Sequence, residues 1–506
     1  MSLAMGIDLG TSSTKTVVID QDGNLLASAS TSYPLETPRP GWAEQDPDEW
    51  WRAICSTTGD IACQLNEGTS GRTANDIDGI SLSGHMNGAV FAGHDGMPLR
   101  RPILWLDRRS QKVCESANEI AGDLLTAKTF HVLNPINTLA KILWVKEYEP
   151  DFYRNARTCL IPKDWIRLKM TGEYASEVSD ASVSAMLDLA ARDWCGDLLD
   201  LLEVRRDLLP PVLESTDIAG RLTGRAAEEM GLPAGIPVCA GGGDVATLAV
   251  GSGVIKPGVI NVGIGTAGHA IAFAETIAET PVNQLWPMCH CVPGAYFWLG
   301  CSYTCGASMS WLSDQLGEGF DTLSREAEGA PAGSEGLFFL PWMEGSATPH
   351  PDTNARAGWL GLTLRHTRGH MTRALMEGVA YDLRESLECF ASLDLPLHEL
   401  RIGEGGARSG LWRQIQADVF GRDVRVLEVE DASALGAAIV GAVGVEIFPD
   451  FDAACEATVN LGETAYCDIK RSRVYEIGFE HFSRLYPDLK DWFQAAGSHQ
   501  SRPEEI

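Results

Sequence analysis

The chain has 506 residues, of which 44% are hydrophobic and 22% charged, the balance of an ordinary globular protein with room for two or three domains. Its 69 acidic residues against 40 basic ones give a formal charge of −29, which argues against a surface built for nucleic acid or anionic lipid. An anionic ligand must therefore be held by local groups such as backbone N–H, a single lysine or a metal ion.

The opening residues Met1 to Met5 lack a basic segment, and the longest weakly polar stretch, 434–445, is too short to span a bilayer. Thirteen cysteines without paired spacing suit a reducing compartment, so a cytoplasmic protein is expected. Cys289-His290-Cys291 with Cys301 and Cys305 lacks the spacing of a metal site and reads as core thiols.

Residues 5–30 hold β-rich runs around an Asp-Gly turn, which predicts a β-meander. A comparable pattern returns at 237–273, where a strand again delivers an acid, Asp244, near a glycine-rich turn. This predicts a divergent duplication with a boundary near residue 240. Between the repeats, 138–146 and 198–209 read as helices. After residue 365 the apolar residues Met371, Leu375, Val379, Leu383, Leu387 and Phe390 recur at helical spacing. A strand at 400–407 then ends in a glycine turn, Ser409 can cap a helix over 411–420, and a strand at 424–429 precedes a small-residue helix at 434–443.

In Asp8-Leu-Gly-Thr-Ser-Ser-Thr-Lys15 a carboxylate ends a strand, a hydroxyl-rich turn follows, and a lysine opens the next strand. Asp8 there can hold Mg²⁺ while Thr11, Ser12 and Lys15 face phosphates. An ordinary Gly/Ser hairpin fits the same residues. No Gly-Lys pair exists for a P-loop. Gly263-Ile-Gly-Thr-Ala-Gly268 spells a dinucleotide string, but a strand-like run follows it instead of a helix, so Gly265 and Thr266 read as a second phosphate contact. In Gly241-Gly-Gly-Asp244 the acid is placed for a general base and also for a helix cap, two roles that are compatible.

These segments, with Glu404-Gly-Gly-Ala-Arg-Ser409, 357–377, 138–147 and 104–108, occur in the order found in the FGGY carbohydrate kinases, which the chain resembles from about residue 5 to 448. The resemblance is nearest the xylulokinases. It implies an α/β fold of two ribonuclease-H-like (actin-type ATPase) domains with an active-site cleft between them. It gives an N-terminal domain at 1–240, a C-terminal domain at 241–490 and a polar tail at 491–506. By the same resemblance Asp8 serves Mg²⁺, Thr11, Ser12, Lys15, Gly265 and Thr266 the phosphates of ATP, Gly405, Gly406 and Ala407 the adenosine, and Asp244 is the base. His85, Met86, Asn87, Trp105, Asp107, Asp244 and Val245 line the sugar site.

The implied activity is ATP-dependent phosphorylation of a primary hydroxyl, with D-xylulose to D-xylulose 5-phosphate the first expectation. The substrate wall departs from the xylulokinase pattern, with His85 for Gln, Asn87 for His, Leu106 for Asn and Val245 for Asn, and Glu404 occupies a position that is often Gly. Another ketopentose, a polyol or an aldonate therefore stays open as substrate. An actin-type ATPase of the chaperone class and a silent sugar sensor are the readings from other classes. The partners expected are a small sugar and ATP, without nucleic acid or membrane, and a homodimer stays open.

Overall fold

A computed structural model describes residues 2–68, 71–277, 284–429 and 431–500. The predicted meander forms Leu3–Leu9, Ser13–Asp20 and Leu25–Ser32, with antiparallel pairing throughout. Its Asp-Gly turn closes because Asp20 Oδ1 accepts the N–H groups of Asp22 and Asn24, both at 2.9 Å, around a left-handed Gly23. Ile77–Gly84 adds parallel to Leu3–Leu9, followed by Pro237–Cys239 and Gly242–Gly243 in parallel and Ile218–Arg221 antiparallel at the edge.

The second sheet repeats this plan. Gly258–Ile264, Gly268–Ala274 and Tyr296–Ser302 form its antiparallel meander, with Trp286–Cys289 beyond them. Leu397–Gly403 and Val424–Leu427 add in parallel on the other side, and Leu461–Ala465 closes the edge antiparallel. Both sheets thus carry a meander, two parallel additions and an antiparallel edge, so the duplication read from sequence is a duplication of topology. The two ribonuclease-H-like domains expected from the resemblance are present.

The register of the repeat differs from the one read in the sequence. The strand pieces leading to Asp244 pair with Ile77–Gly84, so they end the first sheet, and the second begins at Gly258. The chain therefore crosses between the sheets after Gly251, later than residue 240. It also comes back. The helix Ala432–Gly444 packs on Leu3–Leu9 and Ile77–Gly84 of the first sheet and on the helix Asp244–Gly251. Gly436 permits that last contact, since a methyl group there would collide with the Thr247 carbonyl.

The long helix Arg368–Ser392 buries Leu375, Val379, Leu383 and Phe390 behind the second sheet, as its apolar period requires. The predicted helix over 198–209 is broken into Gly196–Leu201 and the short turn Arg206–Leu208. Glu203 takes a left-handed conformation between them, and Val204 donates its N–H back to the Leu199 carbonyl at 2.8 Å. Within the stretch expected as a polar tail, 491–500 continue the helix Ile469–Gln500, and buried Phe493 meets Trp342 edge-on, while 501–506 lie outside the described residues.

Candidate active site

The parallel order of the first sheet puts three strand ends side by side. Asp8 is level with Ser83, and Ser83 and Gly84 are level with Gly242 and Gly243. Side chains at matched positions of adjacent parallel strands share a face, so Ser83 Oγ donates to Asp8 Oδ1 at 2.5 Å. On the other side Ser83 Oγ lies 2.8 Å from Thr247 Oγ1, which couples Asp8 to the helix that Asp244 opens. Ligands of open α/β sheets gather beyond such carboxyl ends.

Asp244 is the first residue of its helix, and the capping position belongs to Gly243. Asp244 Oδ1 accepts the Val245 N–H at 2.8 Å. Burial pushes the carboxyl up to about 7, against the downward pull of that N–H. A carboxylate poised there can take a proton near neutral pH. The N-cap position belongs to Gly243, yet the Asp244 side chain still satisfies one N–H of the first turn, and a role as base is compatible with that.

Asp8 is buried, and its acid is pushed up to about 8, first by burial and then by the charge of Asp431, with Asp244 adding and Ser83 and Lys15 opposing. The sequence reading missed Asp431, which caps the helix Ala432–Gly444 by accepting the Ala434 N–H at 2.9 Å and holds Lys15 Nζ at 2.7 Å. Its position before a run of small helix-forming residues was a visible capping signal. Asp431 and Asp244 add carboxylate repulsion to the burial that raises Asp8, and a bound cation would relieve that repulsion, although no group of three or more ligating side chains gathers there among the described residues.

The hairpin after Asp8 faces the same edge. Trp105 Nε1 donates to Thr11 Oγ1 at 3.0 Å, Ser12 is exposed, and Lys15 lies on the next strand beside Asp431. On the second sheet Gly263 to Gly268 turns between two antiparallel strands, as the failed dinucleotide string predicted. Gly265 and Thr266 there join Gly405 and Gly406 around a cavity of about 730 Å³, with Met309 and Phe320 as apolar walls. Ala407 lies buried in the short turn Gly405–Ala407 behind it. The volume is that of an ordinary small-molecule site.

Matches to known proteins agree with this geometry. Residues 3–251 match the N-terminal domain of the FGGY family of carbohydrate kinases, and residues 261–445 match its C-terminal domain. The chain belongs to the FGGY family of carbohydrate kinases. It is 33% identical to the xylulose kinase of Bacillus subtilis over 97% of its own length and 98% of that protein. A xylulose kinase structure from Rhodospirillum rubrum superposes with a TM-score of 0.88 at 31% identity, over 97% of this chain and all of that one. A gluconate kinase structure from Lactobacillus acidophilus reaches 0.89 at only 22% identity, covering 96% and 98%, so shape alone does not choose the sugar. The protein is accordingly a sugar phosphotransferase, and ATP is the phosphoryl donor expected of its family.

In this FGGY kinase the residues assigned to the sugar wall divide into two groups. Met86 packs on Gly243, and Asn87, in a left-handed conformation with φ of 64°, leaves its buried Oδ1 without a partner among the described residues. His85 lies against Trp50, burial pushes its imidazole down to about 4, and neither ring nitrogen has a hydrogen-bond partner among the described residues. Val245 is half-buried beside the base. Met86 and Val245 adjoin the Asp244 segment, whereas Asp107 is otherwise engaged. Its two oxygens take four donors: Ala43 N–H at 2.7 Å, Arg109 N–H and Nε at 2.9 Å, and Arg109 Nη2 at 2.7 Å. Buried and met by those four donors, its oxygens are already engaged within the protein.

Beneath Asp244 lies a charged cluster that the sequence did not announce. Lys163 Nζ sits 2.7 Å from Asp164, 3.3 Å from Glu177 and 3.4 Å from Asp180, and Arg167 joins Asp164 at 2.9 Å, all fully buried. Burial opposes the Lys163 charge, but the three carboxylates outweigh it. Asp180 is raised well above its ordinary value, chiefly by burial. No sequence spacing flags such a cluster, because its members meet only through the tertiary fold.

Proposed function

We propose that this kinase transfers the γ-phosphoryl group of ATP to a primary hydroxyl of a small sugar, with D-xylulose to D-xylulose 5-phosphate as the reaction. The carrying observation is the placement of Asp244. Met86 packs on Gly243 just before it, Asn87 follows Met86 with a buried oxygen that has no partner among the described residues, and the Asp244 charge reaches Asp8, the residue read as serving the metal.

In this reading Asp244 accepts the proton of the attacking hydroxyl, and Thr11, Ser12, Lys15 and Thr266 hold the phosphates in line. Gly265, Gly405, Gly406 and Ala407 let backbone approach the nucleotide. Asp8 would hold Mg²⁺, with Asp431 nearby, and the ion would neutralise charge on the phosphates. Trp105 spans from the sugar wall to Thr11 and so couples the two halves of the reaction site.

Identity to xylulose kinases over nearly the full length supports the choice of D-xylulose. Against it stand Asn87 and Val245, which replace His and Asn of the xylulokinase pattern and favour a second reading, another ketopentose, polyol or aldonate. A coupled assay of ADP release with D-xylulose, D-ribulose, glycerol, xylitol and D-gluconate tests both. Turnover highest on D-xylulose carries the first reading, and a higher kcat/KM on any other member replaces it with the second.

A further inference from the structure

Glu404 stands in a backbone conformation almost confined to glycine, with φ of 63° and ψ of −159°. It is the hinge between the strand Leu397–Gly403 and the turn Gly405–Ala407. A glycine would sit there without strain, so what the side chain does must account for its presence.

That side chain folds back over the neighbouring hairpin. A methyl group built on Gly263 would lie 2.9 Å from Glu404 Oε2, and one on Gly265 would lie 2.8 Å from it. The carboxylate thus rests on two glycines that leave room for it. The residue is solvent-exposed, and among the described residues no hydrogen-bond donor or cation is bonded to its oxygens.

Glu404 does not itself line the cavity of about 730 Å³, but it joins two of its lining segments at the rim: its carboxylate lies against Gly265, which precedes Thr266, and its backbone leads directly into Gly405 and Gly406. In the reading above, which this inference rests on, the first segment takes phosphates and the second takes the adenine end. The part of a nucleotide that joins phosphate to base is the ribose. An ionised carboxylate offers acceptors only, so it pairs with hydroxyl donors and disfavours phosphate oxygens. We propose that Glu404 accepts hydrogen bonds from the ribose hydroxyls of the bound nucleotide, and so makes this kinase select ribonucleoside triphosphates over deoxy forms.

The test compares wild type, Glu404→Gly and Glu404→Gln in steady-state kinetics with ATP, 2′-deoxyATP and 3′-deoxyATP on the best sugar, together with calorimetric binding of ADP. A site built to bond a hydroxyl rejects the analogue that lacks it, so wild type should favour ATP over at least one deoxy form by about tenfold in kcat/KM. Glu404→Gly should reduce that preference to within about threefold by raising KM for ATP, with KM for the sugar unchanged and a melting temperature no lower than wild type. Glu404→Gln, which keeps one carbonyl acceptor, should fall between them. Wild type that uses all three nucleotides equally, or a Gly variant with the wild-type preference, overturns the inference while ADP binding leaves the nucleotide reading standing. If wild type binds no ADP, the nucleotide reading fails and takes the inference with it.

Discussion

Gly243 donates its N–H to Ser179 Oγ at 3.0 Å, so the residue that precedes the proposed base is tied to the buried cluster below it. Ser179 in turn donates its hydroxyl to Glu177 Oε1 at 2.9 Å, and Glu177 faces Lys163. Lys163 and Arg167 are two cations against the three carboxylates Asp164, Glu177 and Asp180. Removing one partner of a buried charged set leaves the others uncompensated. Lys163→Met is expected to lose roughly 3–5 kcal/mol of stability, measured by urea unfolding. Asp180→Asn should lose far less, since Asp180 meets Lys163 only at 3.4 Å, its oxygens accept no hydrogen bond among the described residues, and burial already disfavours its charge. Equal losses in the two variants would show that Lys163 does not hold the cluster together.

The position of Asp244 sets a pH dependence. A base must be deprotonated, and burial has raised this carboxyl to about 7, so kcat should fall as pH drops through about 7. The folded value lies above the unfolded one, so the proton is held more tightly in the folded chain. Between about pH 4 and 7 the unfolded chain loses that proton first, and the stability it provides is lost as pH rises through the folded value. Asp244→Asn should therefore lower kcat by roughly 10²–10⁴ while keeping ATP binding and raising the melting temperature at pH 8. A variant with near-wild-type turnover would remove Asp244 from the chemistry, and a flat profile from pH 5 to 8 would place the proton elsewhere.

Asp8 makes a different prediction, because its proposed partner is a cation and not the sugar. Asp8→Ala should raise the Mg²⁺ concentration needed for half-maximal turnover and lower kcat, with KM for the sugar changed by less than about threefold. The measurement is a Mg²⁺ titration at saturating ATP and sugar. A folded variant with an unchanged Mg²⁺ requirement would assign the metal to another group.

How much of this was legible beforehand depends on the range of the signal. Asp8, Gly265 and Asp244 sit in short segments whose turn chemistry is local, so their strands and turns could be read directly from the residues. The long helix was legible for the same reason, since the spacing of Leu375, Val379 and Leu383 records one buried face. Which sheet receives a strand is not local. Gly242 and Gly243 looked like the start of a second domain because they precede an acid, yet their pairing with Ser83 and Gly84 makes them the end of the first. Asp107 looked like a sugar ligand by its place in a motif, and only the fold shows Arg109 and Ala43 occupying it. Lys163 and Asp180 carried no signal at all, being 17 residues apart in the chain and brought together at 3.4 Å.

Substrate choice is the remaining question that the site can answer. Val245 follows Asp244 in the chain, Asn87 follows Met86, which packs on Gly243, and Asn87 has a buried oxygen with no partner among the described residues. A polar atom left unpaired in a buried wall costs free energy unless a ligand meets it, so in the proposed reading Asn87 Oδ1 meets a substrate donor. The Val245 side chain can bond no hydroxyl, where Asn in the xylulokinase pattern can. In that reading the wild-type site pairs one fewer sugar hydroxyl on the Val245 side. Asn87→His combined with Val245→Asn restores the xylulokinase pair, and should raise kcat/KM for D-xylulose relative to the best wild-type substrate by about tenfold, the equivalent of about 1.4 kcal/mol and one ordinary hydrogen bond. The left-handed backbone at residue 87, with φ of 64°, admits His at modest cost, so the double variant should fold. The measurement is a paired kinetic comparison of wild type and double variant on D-xylulose and on the best hit of the sugar series. If wild type already prefers D-xylulose to every other sugar and the double variant only loses activity, Asn87 and Val245 are another solution for the same sugar, and the altered wall carries no altered specificity.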